Sequence, residues 1–396
     1  MLLIKNCNLI DMNAIYKEKR DILINNKTII EVSENIESKK EYDVIDAEMR
    51  LVTPGLIESH CHMSVYDTGN ESGIDGNEIS NPVIPGLKGL DALNPIDICF
   101  YTSRKHGVTT IVTGPGSSNI MGGMFVALKT SDEKLENRII KEEDAIKMAV
   151  GENPKSAYGS KGKEPKTRMG IAALMREELF KAKEYYNKKK KYNESKNIKD
   201  KPKFDLNLES LSKAFDGLRV KIHAHEPYDI ITAIRVAEEF GIRYSIEHVT
   251  GAEHVIDYLK NHNVECVAGP SLGFKGKYEI KDKDFKLAGI LEKKGILFSI
   301  ATDHPVIPIE AILLQAILFI KHGATPEGIL RALTINAAKL TDIENNVGSL
   351  EVGKDADLVI WEIPPFDTMH KVYKTIINGK VVYESVEESY EFDYKK

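Results

Sequence analysis

The apolar positions change period along the chain. Near the start, residues 1–4, 21–24, 28–32 and 44–47 are short β-rich runs, and Asn25-Asn26-Lys27 separates two of them. Brief apolar runs bounded by turn residues predict strands. Residues 356–361, 371–377 and 380–383 repeat that texture at the other end, with Asn378-Gly379 as a hairpin turn between the last two. The ends resemble each other and not the middle. They predict one small β-sandwich domain made from residues 1–52 and 345–396, with a larger domain, 53–344, inserted between them.

The middle alternates. Strands are expected at 109–113, 125–128, 220–222, 243–246, 265–268 and 297–300, and helices at 228–240, 254–261 and 285–294. Gly241 supplies the stop for the first of these helices. Strand–helix alternation predicts parallel βαβ units. Their number suffices for an α/β fold of the closed (β/α)8 TIM-like type, which takes about 250 residues. With 396 residues, 42% of them apolar and 29% charged, the chain can bury such a core.

Charge narrows the partners. There are 54 basic and 60 acidic residues, a net charge of −6, which gives no support for nucleic-acid or membrane-surface binding. The lysine-rich stretch 181–203 lacks an aromatic platform and reads as a solvated helix end and loop. Cys7, Cys61, Cys99 and Cys266 form no paired motif, so free thiols in a reducing cytoplasm are expected. No apolar run reaches the roughly 18 residues of a membrane span, and the N-terminus turns polar too early for a leader. A small-molecule substrate is the expected partner. Nothing decides whether the chain forms a homo-oligomer.

The chemistry lies at strand ends. Thr53 to His62 is an apolar strand closing in His60-Cys61-His62. Side chains at i and i+2 share one side of a strand, so both imidazoles can approach one cation while Cys61 points away. A second strand ends in His223-Ala224-His225, a third in Glu247-His248 and a fourth in Asp303-His304. A lone buried aspartate needs a partner. Clustering of four such ends fits the C-terminal mouth of a barrel, where active sites of this fold sit.

These motifs carry a resemblance. Pro-Gly-Leu-Ile-Glu-Ser-His-Cys-His (54–62), His-Ala-His (223–225), Ile-Glu-His (246–248), Thr-Asp-His-Pro (302–305) and the Gly348 to Val359 return are similar, in order and over almost the whole length, to the metal-dependent amidohydrolase superfamily near its imidazolonepropionase-related branch. The resemblance implies a metal-dependent hydrolase of carbon–nitrogen bonds other than peptide bonds, acting on a cyclic amide or N-acyl compound through an activated water. His60, His62 and His223 would bind metal. His248 would be a ligand or a transition-state donor. Asp303 would touch metal and serve as general base. Zinc suits the nitrogen-rich set, with iron, manganese or nickel able to replace it, as one ion or two. His225 is open between substrate contact, supporting partner and ligand, and His304 should face elsewhere.

One departure is Glu58, where the usual motif has Asp; it shares a face with His60 and His62 and would adjust their support. Two-metal relatives add a bridging glutamate or carboxylated lysine from the fourth strand. The candidates here are Glu152, then Lys155, then Lys129. Asn119, in the glycine-rich stretch 114–124, and Arg168 are candidate substrate contacts. The segment 67–85, with Asp75, Asn77 and Glu78, is a candidate cover for the mouth. Three alternatives stay open. One is a deaminase of cyclic amidines, with Glu226 moving protons. Another is a prolidase-like dipeptidase. The last is a relative without activity.

Overall fold

A computed structural model of the chain describes residues 1–11, 19–67 and 75–385. Strands from both ends share one eight-stranded sheet. Its hub is Leu2–Leu9, which pairs antiparallel with Arg20–Asn25 and parallel with Asp43–Asp46 and Leu51–Pro54. Leu51–Pro54 pairs in turn with Leu358–Ile363, which continues through Lys371–Ile377 to Lys380–Glu384. Its own apolar cluster includes Ile4, Leu9, Ile22, Ile24, Val52, Leu358, Ile360 and Ile376. The terminal strands fall where their sequence pattern puts them. Leu51–Pro54 carries this sheet two residues past the expected boundary at 52. The expected C-terminal unit also extends into residues 386–396, outside the described residues.

The middle forms two further sheets. One runs Ile139–Lys141, Val126–Lys129, Val108–Thr113, Leu56–Cys61; the other runs Phe298–Ile300, Glu265–Ala268, Tyr244–His248, Arg219–Ala224, Ala145–Ala149, Met121–Met124. The four strands from Ala145–Ala149 to Glu265–Ala268 and the last, Phe298–Ile300, pair in parallel, as do Leu56–Cys61 and Val108–Thr113. Every residue of Leu56–Cys61, Val108–Thr113 and Arg219–Ala224 is buried, the signature of strands covered on both faces.

The sheets meet at both seams. Ser59 Oγ lies 2.7 Å from Ser299 Oγ, and Thr302 N donates to Glu58 Oε2 at 2.9 Å. At the other seam Phe125 N donates to Ala145 O and Asp144 N to Phe125 O, both at 2.8 Å. The expectation of uniformly parallel units fails here. Val126–Lys129 runs antiparallel to Val108–Thr113, and Met121–Met124 antiparallel to Ala145–Ala149. Met121–Met124 and Val126–Lys129 lie in different sheets, with Phe125 alone between them, so the chain passes from one sheet to the other here.

Helices flank the strands. Pro227–Phe240 starts on a proline and ends at Gly241, whose φ of 66° suits a residue without a β-carbon. Arg168–Ser195 begins at Thr167, whose side chain accepts from Gly170 N. The lysine run 188–191 lies on its last turns, where Lys189 pairs with Glu209 and Lys191 with Asp200. The four cysteines are buried and none joins another in a disulfide. Among the described residues no helix is long and apolar enough to cross a membrane.

Candidate metal centre

His60 and His62 leave the same strand on one side, as their spacing requires. His62 Nδ1 lies 2.8 Å from Gly114 O. A carbonyl only accepts, so this nitrogen carries a proton and Nε2 is left to face Asp303. That Nε2 stands 3.1 Å from Asp303 Oδ1, which has no hydrogen-bond partner. His60 Nε2 is 3.6 Å from the same oxygen, and the donor atoms of His60, His62 and Asp303 all lie within 4.8 Å of one another. Burial opposes ionisation of Asp303, but the rings of His248, His62 and His60 outweigh it and hold the carboxyl well below its usual range.

A second cluster gathers His223, His225 and Glu279, whose donor atoms also lie within 4.8 Å of one another. Glu279 Oε1 is 3.7 Å from His223 Nε2 and 3.9 Å from His225 Nε2. His225 Nδ1 is braced by Thr250 Oγ1 at 2.7 Å. His248 stands between the clusters, its ring centre 5.2 Å from His60, 4.6 Å from His223 and 5.0 Å from His225. Its Nδ1 faces Gly269 O at 2.8 Å, so its Nε2 keeps the lone pair. Burial lowers the pKa of His60, His223, His225 and His248 and favours these neutral rings. His248 and Asp303 sit at φ 77° and 55°, a left-handed backbone that ends each strand sharply.

Two groups of imidazole and carboxylate donors match a divalent cation, and their nitrogen content suits zinc first; Lys147 stands 3.0 Å from His60 Nε2 in the one, and Lys277 2.5 Å from Glu279 Oε1 in the other. The sequence leads to a single convergence of residues 60, 62, 223, 248 and 303. The structure sets His62, His223 and Asp303 on one cavity, with His248 between His60 and His223, and adds His225 and Glu279 beside His223.

Behind the clusters lies a buried ionic layer that the sequence reading missed. Lys147 Nζ is 3.0 Å from His60 Nε2, and burial lowers its pKa to about 8. Glu247 Oε2 is 2.7 Å from His60 Nδ1. Lys221 Nζ donates to Ser59 O at 3.1 Å and lies 3.8 Å from Glu247. Lys147 did leave a signal, a lone charge inside the apolar run Ala145 to Val150. Glu247 stands within a quoted motif. Glu279 comes from a loop and left none. Glu58 turns away from the clusters: it accepts from Thr302 N and Oγ1 at 2.9 and 2.8 Å, and burial raises its pKa to about 8.

Several expected residues are elsewhere. Glu152 accepts from Glu279 N at 3.4 Å and joins neither cluster, because it begins the helix Glu152–Gly159 beyond the strand end. Lys155 is exposed on that helix. Lys129 is paired with Asp355 and Asp357, which ties its strand to the terminal sheet. Arg168 is held by Asp229 at 2.9 Å and lines a different hollow. Asn119 is buried, donating to Glu78 O at 2.7 Å and accepting from Tyr158 at 2.6 Å. Glu226 is taken by Lys281 at 2.6 Å. His304 lies 3.3 Å from Cys99 Sγ, away from the clusters.

The clusters open into a cavity of about 660 Å³ lined by His62, Asp303, His223 and His225 at its floor. Asn77, Ser117, Ser118 and Asn153 form one flank. In the expected cover segment Asn77 lines the cavity, whereas 68–74 fall outside the described residues.

A family model for the amidohydrolase family matches residues 51–382. The structure is similar to an amidohydrolase from Thermotoga maritima MSB8, with a TM-score of 0.93 and 36% identity over 97% of this chain and 100% of that one. Among curated proteins, the amidohydrolase tasK of Hapsidospora irregularis is 23% identical over 92% of this chain, which spans only 40% of that protein's length. The imidazolonepropionase of Bacillus cereus is 24% identical, over 92% of this chain and 88% of that protein. The chain belongs to the amidohydrolase family, within the imidazolonepropionase-related part of the metal-dependent superfamily, and its fold is of the TIM-barrel type with mixed α/β content.

Proposed function

We propose that this protein hydrolyses a carbon–nitrogen bond in a small cyclic amide or N-acyl compound at a centre holding one or two divalent cations. The observation that carries the reading is the meeting of His60 Nε2, His62 Nε2 and Asp303 Oδ1 in a buried place, the two ring nitrogens 3.6 and 3.1 Å from that oxygen. His60, His62 and Asp303 would hold one cation and His223, His225 and Glu279 a second, with His248 reaching either. When bound, such ions acidify water toward a pKa of about 7 and polarise a carbonyl. Asp303 accepts the water's proton and hands it to the leaving nitrogen. His248 acts as a ligand, because its free Nε2 cannot donate. The layer of Glu247 and Lys221 keeps the proton of His60 on Nδ1 and its lone pair toward the cavity.

Lys147 is the proposed bridging lysine, replacing Glu152, Lys155 and Lys129. Its amine would add to the carbon of carbon dioxide, forming an N–C bond, placing the charge on oxygen and releasing one proton. The lowered pKa of this amine supplies the neutral nucleophile. The two inner sheets, closed at both seams, are read as one (β/α)8 barrel and the terminal strands as a separate sandwich-like domain. Four buried cysteines, none in a disulfide, favour a reducing cytoplasm.

The deaminase alternative loses its proton carrier, since Glu226 is engaged by Lys281. The test is metal content per chain, followed by a hydrolysis screen of cyclic amides, N-acyl amino acids, dipeptides and amino-purines with the zinc-loaded full chain. Bound divalent metal with turnover of an amide is expected. A chain that retains no divalent cation after dialysis against zinc overturns the reading.

A further inference from the structure

The cavity has a second flank that the reaction does not use. The segment from Pro270 to Lys283 and the turn after Asp303 contribute Leu272, Phe274, Ile280, Val306 and Ile307 to its lining. Phe274 is 89% exposed and Val306 61% exposed, so large apolar side chains stand uncovered at a polar mouth. Uncovered apolar surface beside a built site marks the place where a ligand's own apolar part is buried.

The polar groups of the same loop are consumed internally. Lys283 Nζ donates to Leu272 O at 3.0 Å and Phe274 O at 3.1 Å. Lys275 Nζ donates to Lys281 O at 2.7 Å. Lys277 Nζ is taken by Glu279 Oε1 at 2.5 Å and Asn153 Oδ1 at 2.8 Å. The loop is stapled by its lysines and pressed close to the facing turn, since a β-carbon on Gly273 would stand 3.4 Å from Ile307 Cδ1. A stapled wall is preorganised, so ligand binding need not order it. Among the described residues lining the cavity there is no arginine, and both lysines are already engaged, so an anionic substituent finds no unpaired cation.

Building on the hydrolase reading above, we infer that the substrate is an uncharged-tailed amide carrying an aromatic or branched aliphatic substituent. That substituent lies on Leu272, Phe274, Ile280, Val306 and Ile307, while the scissile carbonyl meets the histidine and carboxylate clusters. Phe274 and Val306 set specificity without touching the reacting atoms.

The experiment titrates the zinc-loaded full chain with three hydroxamates by calorimetry. Acetohydroxamate reports the metal centre alone, 3-phenylpropionohydroxamate adds an apolar tail, and succinic monohydroxamate adds an anionic one. Each buried methylene is worth about fourfold in affinity, so the phenyl probe should bind at least about tenfold more tightly than acetohydroxamate. The succinic probe should gain nothing. In Phe274→Ser and Val306→Ser, both at exposed positions, the ratio of phenyl to acetyl affinity should fall to about twofold. A ratio near one in the unmodified protein, a tighter succinic probe, or a ratio unmoved by both substitutions overturns the apolar wall. Failure of acetohydroxamate itself to bind identifies the metal-centre reading as the fault, and the inference falls with it.

Discussion

Asp303 is held ionised in a place where an isolated carboxylate would not stay charged. Three imidazoles surround it and outweigh the cost of burial, while Oδ1 has no hydrogen-bond partner and is left for a cation. If that carboxylate moves the proton, Asp303→Asn should reduce kcat by about 10²–10⁴ while far-ultraviolet circular dichroism stays unchanged. Rates like those of the unmodified protein would remove Asp303 from the mechanism. Glu247 makes a different prediction. Its carboxylate faces His60 Nδ1 without reaching the cavity, so Glu247→Gln should weaken zinc affinity about 10–100-fold in competition with a chelator. An unchanged zinc affinity would reduce the pair to packing. The histidines and Asp303 could be picked out from the residues themselves, because each ends an apolar strand. Lys147 was equally visible as a charge within an apolar run, but a lone lysine does not say whom it faces.

At the level of elements, strands decide where the chemistry stands. Gly55 is where the chain leaves the terminal sheet and enters Leu56–Cys61, the strand bearing His60. A β-carbon there would stand 2.1 Å from Thr109 Oγ1. Gly55→Ala should therefore cost about 1–3 kcal/mol in urea unfolding, and adding Thr109→Ala should return part of it. Additive losses in the double variant would contradict a local clash. The positions of the expected strands were readable because apolar runs and glycine or proline breaks are local signals; Met121–Met124, Ile139–Lys141 and Ala145–Ala149 were not among them. The antiparallel placing of Met121–Met124 beside Ala145–Ala149 and of Val126–Lys129 beside Val108–Thr113 was not readable, because direction depends on which neighbour a strand meets. Arg168 and Asn119 were misplaced for a related reason: polarity marks a candidate, and only the path of the loop shows what it touches.

The whole molecule carries buried charges well away from the cavity. Asp144 is buried with neither carboxylate oxygen hydrogen-bonded, and burial raises its pKa to about 6 against the attraction of Lys221, Lys141 and Arg219. A raised folded-state pKa means that the folded chain binds the proton more tightly. Asp144 therefore contributes stability below about pH 4, and that contribution is lost as pH rises through about 6. Asp144→Asn should gain on the unmodified protein across that window, by at most about 3 kcal/mol, measured by denaturant unfolding at successive pH values. A difference that does not vary with pH would show that Asp144 is not the titrating group.

From the order of residues alone came the alternation of strands and helices, the β texture shared by both ends, and the histidine and aspartate strand ends, because period and strand-end chemistry are properties of neighbouring residues. Tertiary structure alone decided the rest. It gathered the donors into two clusters on one cavity, brought Glu279 from a distant loop to His223 and His225, set Lys147 and Glu247 on either side of His60, and stapled the lysines of residues 270–283 so that their apolar neighbours face the cavity. Each of these is a meeting of residues far apart in the chain, and such meetings follow from how sheets close and loops return.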